Sequence, residues 1–152
     1  MKKKIVNIEG YWLKKNFNEL PAISGIFFIY ECKHVIKNDI IVLKKIIYIG
    51  ESDNIKEDIK NERKLDVLFK NFSSREIAVS YAGILDKNER KLIFENYKFY
   101  LNLQQNDNSI NSLDFNPITL ISIGNIEFIE PFYTLNYNIS FKSNRTISKV
   151  LI

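Results

Sequence analysis

Two carboxylates four residues apart are the first side chains in this sequence that could do chemistry together. If Asp58 and Glu62 belong to one helix, their spacing places both on the same helix face. Joined by Glu89 from a later segment, they could form a three-carboxylate cluster that binds a divalent cation. A solvated helix face is a simpler explanation of the same pair, so the spacing alone does not establish a metal site.

A second candidate is the adjacent pair Lys44-Lys45, whose ammonium groups could contact phosphates. The charge balance agrees with a polyanionic partner. The net charge is +4; residues 1–102 hold 19 Lys and Arg against 14 Asp and Glu, whereas residues 103–152 hold 3 against 4. Many ordinary proteins carry a similar excess, and the same lysines could instead keep a strand edge soluble.

The remaining reactive side chains limit the chemistry. Cys32 is the only cysteine, which excludes an intramolecular disulfide and a multi-cysteine zinc site. His34 is the only histidine, and the sequence shows no Ser, Asp or Cys arrangement with it that is typical of general-base catalysis. Because we find no secretory signal and no run of about 20 apolar residues, we expect a cytoplasmic protein that does not enter a membrane.

The distribution of apolar residues predicts the elements that must position these groups. Residues 8–19 are predicted to be a short helix or an irregular segment. Helices are predicted over 53–70, capped by Ser52 or Asp53, and over 86–101. Runs of β-branched and aromatic residues predict strands, over 25–31, 40–49 and 77–81, and in the tail over 118–123, 126–129 and 132–141.

This order predicts an α+β fold. The turn-forming residues 37–39 make the first two strands a hairpin, and the helices flank a small central sheet that is mixed or antiparallel. The chain length suits one domain over 1–152. Residues 118–152 are predicted to form a β-rich extension of that domain.

Three segments in this order resemble the GIY-YIG nuclease family. Gly25-Ile26-Phe27 follows Leu20-Pro21, as the first half-motif of the family often follows a Leu-Pro turn. Tyr48-Ile49-Gly50 reproduces the second half-motif and continues into a helix start. Glu89-Arg90-Lys91-Leu92-Ile93 is similar to the E-x-x-L-I segment, and Asn102 follows near the expected Asn. The resemblance covers residues 22–102, with a longer hairpin than is common in the family.

The resemblance implies a catalytic role for each matching position. A tyrosine at the position of Tyr48 would polarise or deprotonate the attacking water. A glutamate at the position of Glu89 would hold Mg²⁺ or another divalent metal, which acts as Lewis acid and template. A helix arginine would stabilise the pentavalent phosphate. Asn102 matches the asparagine of the family if the spacing is allowed to differ by one residue.

Three of the six expected groups are replaced. Phe27 stands where the first half-motif has tyrosine, Asp58 stands where the family has its arginine, and Glu62 stands where histidine or tyrosine is usual. An anion in place of a cation repels phosphate, by roughly 4 kcal/mol at 4 Å and an effective dielectric near 20. Arg63 or Arg75 could substitute for the missing guanidinium.

The sequence therefore favours a catalytically impaired GIY-YIG-like module that binds a phosphate-bearing ligand, either nucleic acid or a nucleotide. Its predicted ligand contacts come from basic, phenolic and amide side chains, namely Lys44, Lys45, Tyr48, Arg63, Arg75 and Asn102. One alternative is an active metal-dependent endonuclease with Tyr48 and Glu89 as catalytic residues. Another is an interaction or inhibitor protein that uses the fold as a scaffold, as a homodimer or with a protein partner. Glu89 also has a local explanation, because Asp86 and Glu89 have the spacing of a capping box.

Overall fold

The computed structural model describes residues 2–38, 40–73, 76–103, 116–124 and 139–143. The strands are β1 (Lys3–Leu13), β2 (Gly25–Val35), β3 (Ile40–Ser52), β4 (Ile77–Gly83), β5 (Thr119–Gly124) and β6 (Ile139–Ser143). The helices are α1 (Ile55–Asn61), α2 (Arg63–Phe69) and α3 (Lys87–Leu101), with short 3₁₀ helices at Lys14–Glu19 and Ile36–Asn38.

The six strands form one mixed sheet in the order β3-β2-β4-β1-β5-β6. Pairing is antiparallel between β2 and β3, β2 and β4, and β1 and β4. It is parallel between β1 and β5 and between β5 and β6. The predicted α+β class with a mixed sheet and flanking helices is confirmed.

Alternation along β2 divides the core into two layers. Ile26, Phe28 and Tyr30 face the layer that contains Ile93 and Tyr97 of α3. The intervening residues of β2 face the opposite layer, where α1 and α2 pack. Because successive side chains of a strand point to opposite faces, this one strand separates α3 from the other two helices. We call these the α3 face and the α1 face of the sheet.

Two predicted elements differ from the structure. The segment 8–19 is a strand as far as Leu13 and only then a 3₁₀ helix. The strand is stabilised by hydrogen bonds to β4 and β5, which are distant in the chain and therefore leave no local sequence pattern. The helix predicted over 53–70 is two seven-residue helices, since Glu62 between them has extended backbone (φ −78°, ψ 123°). Its N-cap is Asn54, whose side chain accepts a hydrogen bond from the Glu57 backbone N–H.

The first tail strand joins the main sheet. The buried Asn96 of α3 donates to the Asn116 carbonyl and accepts from the Ile118 N–H, and the Tyr100 hydroxyl donates to the Ile118 carbonyl at 2.7 Å. These bonds hold the start of β5 against α3. The predicted tail strand over 126–129, and most of the one over 132–141, lie outside the described residues. Among the helices that the structure describes, none is long and apolar enough to cross a bilayer.

Candidate functional site

Two of the motif positions meet on the α1 face. Phe27 and Tyr48 lie on neighbouring strands, with ring centroids 6.1 Å apart and planes at 26°. The charges of Asp58, in the first turn of α1, and of Glu62, its C-cap, act on the Tyr48 phenol. The Lys64 ammonium lies 5.5 Å from the centroid of the Tyr48 ring. We call these five residues the Tyr48 site.

The phenol at this site is poorly suited to activate water. Burial, followed by the charges of Glu62 and Asp58, raises the pKa of Tyr48 to about 12. At neutral pH only about one molecule in 10⁵ then carries the phenolate. A tyrosine that acts as a general base needs a pKa shifted in the other direction, so these neighbours work against that role.

The α1–α2 break brings Glu62 into an unfavourable setting. Burial and the charge of Asp58 raise the pKa of Glu62 above its ordinary value, and Lys64 opposes this only in part. The negative charge of Glu62 therefore costs folding free energy at neutral pH.

We expect Glu62→Gln to stabilise the protein at pH 7, by about 0.5 kcal/mol because the carboxylate is partly solvated. The pKa of Glu62 is raised in the folded state. Its contribution to the stability of the wild-type protein is therefore most favourable below the unfolded pKa near 4.5, and it is lost as the pH rises through the folded pKa. The gain should therefore vanish below about pH 4. Urea unfolding at pH 7 and pH 4 measures it, with Glu95→Gln on α3 as the control. An equal gain at both pH values would contradict this assignment.

Glu89 lies on the other side of the sheet. It belongs to α3, which packs on the α3 face, and its Oε1 accepts a hydrogen bond from Lys4 Nζ of β1 at 3.1 Å. Tyr48 belongs to the α1 face of β3. Strands β1 and β3 are three positions apart in the sheet, or about 14 Å. The two residues with expected catalytic roles are thus not brought together.

The other predicted ligand residues are scattered. Asn102 is the C-cap of α3 in left-handed conformation (φ 47°), 13 residues and about 20 Å along the helix from Glu89. Arg63 begins α2 and is exposed, and within the described residues its side chain bonds neither Tyr48 nor Glu89. Arg75 lies outside the described residues. Lys44 and Lys45 are exposed on β3.

A guanidinium that sequence reasoning missed stands beside Glu89. The Arg90 side chain is only 1% exposed. Its Nε donates to Glu51 Oε2 at 2.9 Å, its Nη2 donates to Asp53, and its Nη1 donates to the carbonyls of Ile84 and Leu85. These four acceptors leave it no means of reaching a phosphate. The only sequence signal at Arg90 was its position inside the E-x-x-L-I segment, and that position does not indicate whether the side chain is buried.

The three-carboxylate cluster of Asp58, Glu62 and Glu89 is not formed. Asp58 and Glu62 face the α1 layer, whereas Glu89 is ion-paired on the α3 face. Within the described ranges, no three His, Cys, Asp or Glu side chains are grouped so that they could hold a metal ion. One of the two hydrogen bonds of the predicted Asp86–Glu89 capping box is present. The Glu89 backbone N–H donates to Asp86 Oδ1 at 2.8 Å, so Asp86 caps α3.

When the chain is compared with protein-family models, with curated proteins and with solved structures, no match is found.

Proposed function

We propose that the chain is a non-catalytic GIY-YIG-like module that binds a phosphate-bearing ligand, nucleic acid or nucleotide, through the far end of the β2–β3 hairpin. Residues 32–45 hold four lysines against one acidic residue. The four lysines are all exposed, and we call them the basic hairpin end: Lys33, Lys37, Lys44 and Lys45.

A β-bulge is the observation that carries this proposal. Glu31 pairs with Lys45 and Cys32 pairs with Leu43, so Lys44 is an extra residue in β3. In a regular strand, adjacent side chains point to opposite faces of the sheet, and one of two neighbouring lysines would approach the core. The bulge breaks this alternation and leaves both ammonium groups in solvent.

The state of other cations supports the same surface. Three cations elsewhere already have partners within the chain. Lys4 is paired with Glu89, Lys14 donates to the Phe69 carbonyl, and Arg90 forms ion pairs with Glu51 and Asp53. Among the described residues, no carboxylate forms an ion pair with a lysine of the basic hairpin end. The charge of Lys44 acts on the Glu76 carboxylate without forming an ion pair, so a phosphate at this surface would compete with that weaker interaction alone.

The Tyr48 site is a poorer place for phosphate. Asp58 and Glu62 each oppose an anion, and Lys64 supplies one cation against the two. The separation of Tyr48 from Glu89 further favours binding over hydrolysis. Cleavage of supercoiled plasmid with Mg²⁺ or Mn²⁺, if Glu89→Gln abolished it, would contradict the non-catalytic proposal and support the endonuclease alternative.

The double variant Lys44→Gln/Lys45→Gln is expected to weaken binding of labelled single-stranded DNA or RNA. The slope of log K against log salt should fall by about 1.5, because each lost phosphate contact contributes roughly 0.7–0.9. Fluorescence anisotropy across a salt series measures both quantities. Lys87→Gln/Lys91→Gln, which removes two exposed lysines from α3, is the matched control.

A protective role for the lysines would give a different result. Within the described sheet β3 is an edge strand, and lysines and bulges protect such edges from aggregation. If the double variant aggregated but kept the wild-type salt slope, the lysines would guard the edge and the proposal would be wrong. If the salt slope does fall, thermal-shift measurements with nucleotides separate a small ligand from a polynucleotide.

A further inference from the structure

A cavity of about 520 Å³ lies at the opposite end of the molecule from the basic hairpin end. It opens where β4 leaves the sheet, between β1, the β4–α3 connection and the first turn of α3. Its buried wall is apolar and consists of Val6, Ala82 and Ile93. The volume is in the range of pockets that hold a ligand or an anchoring side chain.

The rim of this cavity exposes apolar side chains that the fold does not cover with any described residue. Leu85 is 90% exposed and Ile5 is 63% exposed, and both line the cavity. Ile23, 40% exposed, lies beside Gly83 of the cavity wall, since its Cδ1 is 3.2 Å from the position that a Cβ on Gly83 would occupy. Exposed apolar side chains at the rim of a cavity are typical of an interaction surface.

The polar part of the rim is acidic. Asp86 and Glu89 both line the cavity. Glu89 holds the Lys4 ammonium at 3.1 Å, so the rim already accommodates one cationic side chain of this chain. Asp86 uses one carboxylate oxygen to cap α3, and its other oxygen has no partner among the described residues. Because Glu89 is already paired with Lys4, a docked lysine or arginine would complement mainly the Asp86 carboxylate.

We propose that this cavity is a docking site for a segment of a protein partner that presents apolar side chains beside lysine or arginine. A second copy of the chain fits less well, because symmetric docking of the same patch would bring the carboxylates of the two copies together. A phosphate-bearing ligand is repelled for the same reason. Since β2 separates the cavity from the basic hairpin end by about 20–30 Å, this site is independent of the proposed phosphate site.

Titration of the isotope-labelled chain with two peptides tests the proposal. The probes are acetyl-Leu-Lys-Leu-Lys-Leu-amide and the same peptide with glutamate in place of lysine. We expect the lysine peptide to shift the backbone amide resonances of Asn7, Gly83 and Leu85 in a saturable manner, and the glutamate peptide to shift them little. Leu85→Ser should weaken the lysine peptide about tenfold, since it removes a large apolar contact. Val67→Ser, at a residue of α2 that is 64% exposed, should have no effect.

Three results would overturn the proposal. One is the absence of saturable shifts with the lysine peptide, and another is equal binding of the two peptides. The third is a set of shifts at the same residues that depends on protein concentration without peptide, which would make a second copy the occupant. Because Leu85 is exposed, Leu85→Ser should fold normally, and its unfolding curve checks that lost binding is not lost structure.

Discussion

Arg90→Ala is expected to lower the free energy of unfolding by about 3–5 kcal/mol, the range for removing one partner of a buried ion pair. The guanidinium reaches Glu51 at the end of β3 and Asp53 before α1. It also donates to the carbonyls of Ile84 and Leu85 between β4 and α3. Alanine would leave the Glu51 carboxylate, only 18% exposed, without its cation and two loops without a common donor.

Urea unfolding at neutral pH measures this loss. Lys91→Ala, which removes the adjacent exposed cation, is the control and should change stability by less than about 0.5 kcal/mol. If Arg90→Ala does not fold, Arg90→Lys still tests the claim. Lysine keeps the charge but cannot donate in the same planar fork to several acceptors, so an intermediate loss is expected. A loss below about 1 kcal/mol in both variants would contradict the structural role of Arg90.

Gly50→Ala is expected to destabilise the protein by about 1–3 kcal/mol, as overpacking does in a dense core. Gly50 pairs with Phe27 across the two strands, and a Cβ on Gly50 would lie 2.0 Å from Cζ of the Phe27 ring. The ring is 1% exposed and packs beside Tyr48, so it has little room to move away.

A double-mutant cycle makes this prediction specific. In a Phe27→Ala background the ring is gone, and Gly50→Ala should then cost nearly nothing, which gives a coupling energy of about 1–3 kcal/mol. Gly25→Ala is the contrasting variant, because its Cβ would lie 2.1 Å from the Ala82 carbonyl oxygen and no side-chain deletion relieves a backbone clash. Additive effects of Gly50→Ala and Phe27→Ala would contradict the proposed packing.

These glycines bear on how the half-motifs should be interpreted. Gly25 permits close pairing of β2 with β4, and Gly50 makes room for the Phe27 ring. Both needs arise from packing and would persist in a protein without nuclease activity. The presence of G-I-F and Y-I-G in this sequence is therefore compatible with a module that binds without cleaving.

Local sequence signals determined much of the secondary structure. The hairpin of β2 and β3, strand β4 and helix α3 were predicted because alternation, helical periodicity and the Asp86 cap act over a few residues. The apolar residues of α1 and α2 follow the same helical periodicity, and Ile55, Ile59, Leu65, Leu68 and Phe69 are all buried. Within the candidate site, the sequence predicted that Asp58 and Glu62 share one helix face. Glu62 instead lies in the extended break after α1, although the charges of both residues act on Tyr48.

Only the tertiary structure decided which of these groups share a surface. Strand β1 is held by partners more than 60 residues away in the chain, so its own residues give little sign of it. Tyr48 and Glu89 are at acceptable spacing in the sequence, yet opposite faces of the sheet separate them. The sequence does not distinguish Arg90 from an exposed helix cation, whereas in the folded protein it is buried and paired with Glu51 and Asp53. Face, partner and burial depend on pairing between distant segments, and a one-dimensional pattern of residue types does not specify that pairing.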